Sequence, residues 1–246
     1  MTVESSGASI VIDAGSGLMQ FEKELYGRGP DMPEKPKLDV LISHLHFDHI
    51  IGFSVLDLFW AKDSDVRVYT CSRDERPLKE QLFGAFRPPY WPSSLADASG
   101  AQCIPVESAV PFRIEHFTVT PFAANHPDKT LSFHISDGER SIVHLLDNET
   151  ANMPEKTYKK LMELCSEADL VVFDSAYSAE DYPKMVGWGH STVEHGVKLA
   201  MECKPKRMMF SHYSQQYSDK EIDSWTRFFK GETEFILGSE GMELSL

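Results

Sequence analysis

Short runs dense in valine, isoleucine, leucine and phenylalanine recur along the chain, punctuated by glycine, proline and aspartate. The runs Ala8 to Asp13, Leu38 to His44, Val66 to Thr70, Phe117 to Phe122, Leu131 to Ser136, Ser141 to Leu146, Leu170 to Asp174 and Arg207 to Ser211 therefore predict strands ending in loops. Helical patterns separate some of them. Pro154 to Glu167 begins with proline near its first turn, and Ser191 to Cys203 opens on Ser191-x-x-Glu194, a capping-box signature. Ser218-x-x-Glu221 announces a last helix through Phe229 in the same way. Strands interspersed with helices predict an α/β or α+β layered domain, and no repeat, low-complexity tract or linker divides it. The longest stretch without pattern, Arg73 to Gly100, holds Phe86-Arg-Pro-Pro-Tyr-Trp-Pro92, whose prolines oppose both helix and central strand. Loops this long in compact domains are usually functional or disordered, and the aromatics argue against disorder.

Composition narrows the class. With 246 residues and 41% hydrophobic content, a single domain over residues 1–246 is expected. Lysine and arginine total 24 against 38 acidic residues, a formal charge of −14. That balance offers no broad basic surface for extended nucleic acid, although a metal centre would still draw a phosphate locally. Cys71, Cys103, Cys165 and Cys203 form no close CxxC pair, so buried reduced thiols are expected rather than a structural zinc site. Nothing approaches the roughly 20 apolar residues of a membrane span, and no signal-peptide pattern opens the chain, which predicts a cytoplasmic protein without a membrane partner.

The segment that carries chemistry is Ser43-His44-Leu45-His46-Phe47-Asp48-His49, directly after the apolar run Leu38 to Ile42. Strand alternation points His44 and His46 to one side, and the turn that follows offers Asp48 and His49. Four imidazole or carboxylate donors within six residues are good zinc ligands at neutral pH. A lone histidine is more often a packing or surface residue; HxHxDH as a unit is not.

This motif after a strand resembles the signature of the metallo-β-lactamase superfamily, and the family's remaining motifs follow in order. Asp13, in Ile-Asp-Ala-Gly-Ser-Gly, matches an early aspartate that supports the metal loop. His126 in Ala-Asn-His-Pro, Asp147 in Leu-Leu-Asp-Asn and His212 in Phe-Ser-His-Tyr-Ser match later ligands. The resemblance implies a four-layer αββα sandwich with two divalent metal ions, zinc first and manganese or iron as alternatives. His44, His46 and His126 would take one ion, Asp48, His49 and His212 the other, and Asp147 would join them. His116, His134 and His144 match no family motif, and the last two lie inside strand patterns, where a structural histidine is expected. Phosphodiesterase-like relatives begin with an extra strand and a glycine-rich turn, whereas this chain starts almost at the Asp13 segment. That first hairpin is expected to be lost or built differently.

Two adjacent metals can hold one hydroxide and stabilise both the attacking and leaving oxygens at phosphorus. Gly187-Trp-Gly-His190-Ser-Thr192 resembles the Gly-His-Ser-Thr stretch of the tRNase Z and cyclic-nucleotide phosphodiesterase-like branch, in which the histidine contacts phosphate and assists the leaving group. A histidine before a helix start suits an anion and a proton transfer. Where tRNase Z carries His-Glu-Ala-Thr, this chain reads Phe173-Asp-Ser-Ala-Tyr177, so Asp174 becomes the candidate to orient His190, with a plain strand-end aspartate as the alternative. No long basic arm lies between Asp147 and His190. A small phosphodiester such as a cyclic nucleotide is thus the expected substrate. The competing readings are a thioesterase or lactonase with the same metal site, an RNA-processing nuclease, a metal-bearing sensory or scaffold module without turnover, and a diiron oxygen-binding protein, which His46 argues against because that branch has glutamate there. Phe86, Arg87, Tyr90 and Trp91 are the expected substrate-binding residues, offering stiff aromatic faces and a cation, with a core flap or a homodimer contact as the alternative.

Overall fold

The computed structural model describes residues 1–18, 20–21, 37–60, 64–98, 100–166 and 168–246. They form two compact units, Met1–Ser108 and Ala109–Leu246. The first is built on a sheet of β1 (Thr2–Ser5), β2 (Ala8–Ile12), β3 (Lys37–Leu41), β4 (Asp65–Thr70) and β5 (Gln102–Pro105), in that spatial order. β1 and β2 pair antiparallel and the rest are parallel. Ser6 and Gly7 between β1 and β2 both have positive φ (47° and 79°), the backbone a two-residue hairpin turn needs to match strand twist. A first hairpin is therefore present. The pattern of Thr2–Ser5 did not announce it because only Val3 is buried.

β3 is buried from Leu38 to Leu41 although it carries Asp39. Arg67 Nη2, 2.7 Å away, and the Tyr69 hydroxyl, 3.0 Å away, both donate to that carboxylate from β4. Burial and the adjacent Asp39 push the Tyr69 hydroxyl well above its ordinary pKa. The strand expected to reach His44 ends at Leu41. Ile42 N makes a last bond to Tyr69 O, and Ser43 N then turns to the Asp13 side chain, 2.8 Å away. Helices α1 (Phe47–Ile50), α2 (Asp57–Trp60), α3 (Leu78–Phe83) and α4 (Leu95–Ala98) cover this sheet's core, where the rings of Phe53 and Phe59 lie 4.6 Å apart and those of Phe53 and Phe83 5.2 Å apart.

The second unit holds β6 (Phe112–Ile114), β7 (Phe117–Ala123), β8 (Leu131–Ser136), β9 (Ser141–Leu145), β10 (Leu170–Asp174), β11 (Arg207–Ser211) and β12 (Glu234–Leu237). β6 to β9 form an antiparallel meander; β9 to β12 are parallel neighbours, joined through α5 (Glu155–Cys165), α6 (Val193–Cys203) and α7 (Asp219–Ser224). β10, central among these parallel strands, is buried at all five residues. Pro154 occupies the N-cap of α5, and the helix end expected at Glu167 lies outside the described residues, as does Ser99 of the unpatterned stretch. α7 has the expected Ser218–Glu221 capping box, then tightens into a 3-10 turn over Trp225–Phe228.

The start of α6 differs from expectation. Its cap is Thr192, whose hydroxyl accepts from His195 N at 3.3 Å while His195 Nδ1 accepts from Thr192 N at 3.3 Å. Ser191 cannot serve, because it is buried and its hydroxyl donates to Asn148 O at 2.6 Å. Burial also draws the His195 imidazole below its ordinary pKa. His134 and His144 stand in the β8–β9 ladder, opposite Val143 and Phe133. Burial lowers His134 as well. All four cysteines are free thiols; Cys71, Cys165 and Cys203 are buried, and burial pushes Cys103 up to about 11. Among the described residues no helix is long and apolar enough to cross a membrane.

Gly196 of α6 faces Phe210 and Phe173 so closely that an added Cβ would lie against the Phe210 ring and 2.8 Å from Phe173 Cδ1. Alanine there gains helix propensity of at most about 1 kcal/mol. Overpacking a filled core costs about 1–3 kcal/mol, so the clash should win. Gly196→Ala should lower the urea unfolding midpoint; a midpoint at or above that of the parent chain would show that the rings yield freely.

Candidate metal centre

In the first unit the HxHxDH segment leaves β3 and enters α1. His44 packs edge to face with His46 at a centroid distance of 4.3 Å, and against a tilted His49 ring at 4.2 Å. Residues 42–46 are not strand, so it is the turn into α1, not strand alternation, that brings these rings together. Asp13, one residue past β2, organises the turn: its Oδ1 accepts from Ser43 N at 2.8 Å, and its Oδ2 accepts from Ser43 Oγ at 2.9 Å and lies 2.8 Å from His49 Nδ1. Ser43 Oγ is also 3.1 Å from His44 Nδ1. Both rings are thus held through Nδ1, and Nε2 is the ring nitrogen through which either could meet a cation. His49 Nε2 lies 3.3 Å from Asp48 Oδ2, on a side chain that is 70% exposed. The loop after Asp13 approaches so closely that a Cβ on Gly15 would meet Asp48 O at 2.7 Å.

In the second unit the candidate ligands also follow strand ends. Asp147, two residues past β9, is buried and has a φ of 51°; His212, one residue past β11, has a φ of 64°. Asp147 Oδ2 is 3.5 Å from His212 Nε2, and its Oδ1 is 4.0 Å from His126 Nε2. His126 Nδ1 lies 2.9 Å from Thr130 Oγ1, whose hydroxyl donates to Asp128 O at 3.1 Å. Asp128 N donates to the same nitrogen at 3.2 Å, so both contacts hold the ring at Nδ1, and Nε2 faces Asp147.

Asp174 closes β10 with no exposed surface. Its Oδ2 accepts from Asp147 N at 2.9 Å, lies 2.9 Å from His190 Nδ1 and 3.5 Å from His212 Nδ1; its Oδ1 accepts from Ala176 N at 3.0 Å and Ser191 N at 3.1 Å. Burial alone would raise its pKa, but the hydrogen bond from His190 and the nearby His212 imidazole prevail and hold the carboxyl well below the usual carboxylate range. His190 stacks on His212 at 5.2 Å. Donor atoms of His126, Asp147 and His190 lie within 4.8 Å of one another, as do those of Asp174, His190 and His212. Imidazole nitrogens and carboxylate oxygens at this density fit a borderline cation such as zinc.

Residues the motifs did not mark complete this half. Glu149 is buried and receives the Tyr182 hydroxyl and the amides of Gly187 and Gly189, the loop that leads to His190. Gly189, with φ of 88°, leaves room for the His126 ring where any side chain would collide. The signal lay in the sequence as the two glycines beside His190, but Glu149 had none.

The aromatic loop divides. Phe86, expected on a substrate wall, is 2% exposed in the first unit's core, stacked on Phe47 at 5.6 Å and edge to face with Trp91 at 6.4 Å. A ring committed to the core offers no face to a ligand. Arg87 and the exposed Tyr90 line an open hollow of about 330 Å³ with Phe47, Gly84 and Ala85, while Trp91 is packed partly against the core.

Known proteins give this geometry its context. Over 98% of the chain and 35% of the relative, the sequence is 22% identical to ribonuclease Z 2, mitochondrial, of Schizosaccharomyces pombe, so the chain spans about a third of that protein's length. The structure matches the metallo-β-lactamase fold protein YhfI from Bacillus subtilis with a TM-score of 0.72 at 17% identity, covering 98% of this chain and 88% of that one. A diphosphatase from the PhnP family matches with a TM-score of 0.66 at 16% identity, covering 100% and 83%. At these identities the structural likeness speaks for the fold, two sheets with helices. The family model described as the beta-lactamase superfamily domain matches residues 8–213, and the chain belongs to that superfamily, that of the metallo-β-lactamase fold.

Proposed function

We propose that the chain is a dinuclear-metal phosphodiesterase acting on a small, nucleotide-like phosphodiester. The observation that carries this reading is the 2.9 Å contact between Asp174 Oδ2 and His190 Nδ1, two residues before Thr192, which caps α6. On this reading, which follows the family resemblance, His44, His46 and His126 would form one ligand set, Asp48, His49 and His212 the other, and Asp147 would serve both. Two divalent cations, zinc in the first instance, supply Lewis acidity and an acidified water when bound. The chain's own part is orientation and proton handling. Asp13, Ser43 and Thr130 hold ligand rings at Nδ1, and Asp174 does the same for His190. With Nδ1 engaged, Nε2 is the atom at which His190 gives a proton to the departing oxygen. Asp174 orients that ring; it does not touch substrate. The likeness to a PhnP-family diphosphatase supports phosphorus chemistry, and the charge of −14 favours a small ester over a polynucleotide. RNA is the second reading, favoured by the likeness to a ribonuclease Z.

Elemental analysis of metal-replete protein should give close to two divalent metals per chain, and chelation should abolish turnover. Asp147→Ala should lose metal while far-ultraviolet circular dichroism stays native, since a carboxylate between two cations offsets their repulsion. Parental metal content and turnover in that variant would remove Asp147 from the centre.

His190→Ala should slow hydrolysis of diesters with alkoxide leaving groups by about 10²–10⁴-fold, and of nitrophenyl diesters far less, because a good leaving group needs little protonation. Metal content should stay unchanged. Equal losses on both ester types would assign His190 to structure or binding, and a panel led by thioesters, lactones or RNA instead of small diesters would overturn the substrate class.

A further inference from the structure

Glu149 is a buried carboxylate, 2% exposed, whose backbone and side chain serve two different loops. Its N–H donates to Asn125 O at 2.9 Å and its carbonyl accepts from Asn125 Nδ2 at 2.7 Å, which ties it to the residue before His126. Its side chain reaches the other way. Oε1 accepts from the Tyr182 hydroxyl at 2.7 Å and from Gly187 N at 3.0 Å; Oε2 accepts from Gly187 N at 2.9 Å and from Gly189 N at 3.2 Å. Hydrogen bonds to an ionised acceptor are roughly twice as strong as neutral ones, so this carboxylate fixes the loop more firmly than an amide would.

What the clamp holds is specific. Gly187 and Gly189, with φ of 87° and 88°, flank Trp188, whose own N–H donates to Met185 O at 3.0 Å. Trp188 is 59% exposed although the backbone on both sides of it is pinned. Two peptide steps of about 3.8 Å separate its Cα from that of His190. A large ring held open to solvent by a rigid backbone, beside the proposed proton donor, matches a stacking platform, where low ordering cost and a flat apolar face favour an aromatic ligand.

We propose that Glu149 is a positioning residue that fixes the Tyr182–Gly189 loop, and that this loop presents Trp188 as the wall on which a ring of the substrate, such as a nucleobase, stacks. This rests on the phosphodiesterase reading and moves specificity to a surface other than the Arg87 and Tyr90 hollow.

Two measurements on the metal-loaded chain test it. In hydrogen exchange, Glu149→Gln should speed the amides of residues 182–189 at least tenfold, with Glu149→Asp between it and the parent; exchange equal to the parent in Glu149→Gln overturns the clamp whatever the reaction. In calorimetric binding, Trp188→Ala should weaken a nucleoside monophosphate about tenfold or more while ribose 5-phosphate binds as before, and Trp188→Phe should keep most of the affinity. Equal affinity of both ligands for Trp188→Ala and the parent, or equal weakening of both, overturns the platform. A parent chain that turns over no phosphodiester overturns the reaction the platform serves, and the exchange result decides the clamp separately.

Discussion

The carboxylate of Asp174 is the interaction on which the second unit's site depends. One buried side chain accepts the amide of Asp147, engages His190, approaches His212, and accepts the amides of Ala176 and Ser191. It thereby sets the turn after β9, the start of α6 and the residue after β11 from the end of one strand. A buried charge is tolerated only when its lone pairs are met, and here they are met by three backbone amides and the His190 imidazole. The stability of the carboxylate and the geometry of the site are for this reason the same set of bonds.

A second constraint is conformational. Asp13, Asp147 and His212 all have positive φ, at 61°, 51° and 64°, each within two residues of a strand end. A left-handed residue other than glycine costs about 1–2 kcal/mol, and glycine would relieve it. Glycine has no donor atom. The strain persists where a polar side chain is aimed at a sharp exit from a sheet, a device each unit uses at its own strand ends.

Much of the fold was legible in the sequence because its central strands carry the strongest periodicity. β8, β10 and β11 have the limits their apolar runs predict, since each is paired on both sides and buried on at least one face. Legibility failed where a side chain replaced a ladder bond. Ser43 N leaves the β3 ladder for Asp13, shortening the strand, and Ser191 spends its hydroxyl on Asn148 O, passing the cap to Thr192. The short edge strands β1 and β12 escaped because little of either is buried. Phe86 was misplaced because a proline-flanked aromatic reads alike whether it faces core or solvent, and only packing against Phe47 and Trp91 distinguishes them.

The two units solve one problem with the same device. Asp13 follows β2 and Asp174 ends β10; each accepts a backbone amide of the turn that bears ligands, from Ser43 and from Asp147, and each engages an imidazole at Nδ1, in His49 and in His190. A carboxylate at that nitrogen fixes both the ring's orientation and which nitrogen faces outward. For His49 the outward nitrogen is a ligand atom in the proposed centre, and for His190 it is the proton carrier. The same local bonding suits a metal ligand or an acid according to what lies beyond Nε2, so motif spacing alone does not separate the two roles, and the proposed role of His190 rests on the Asp174 contact that the folded chain displays.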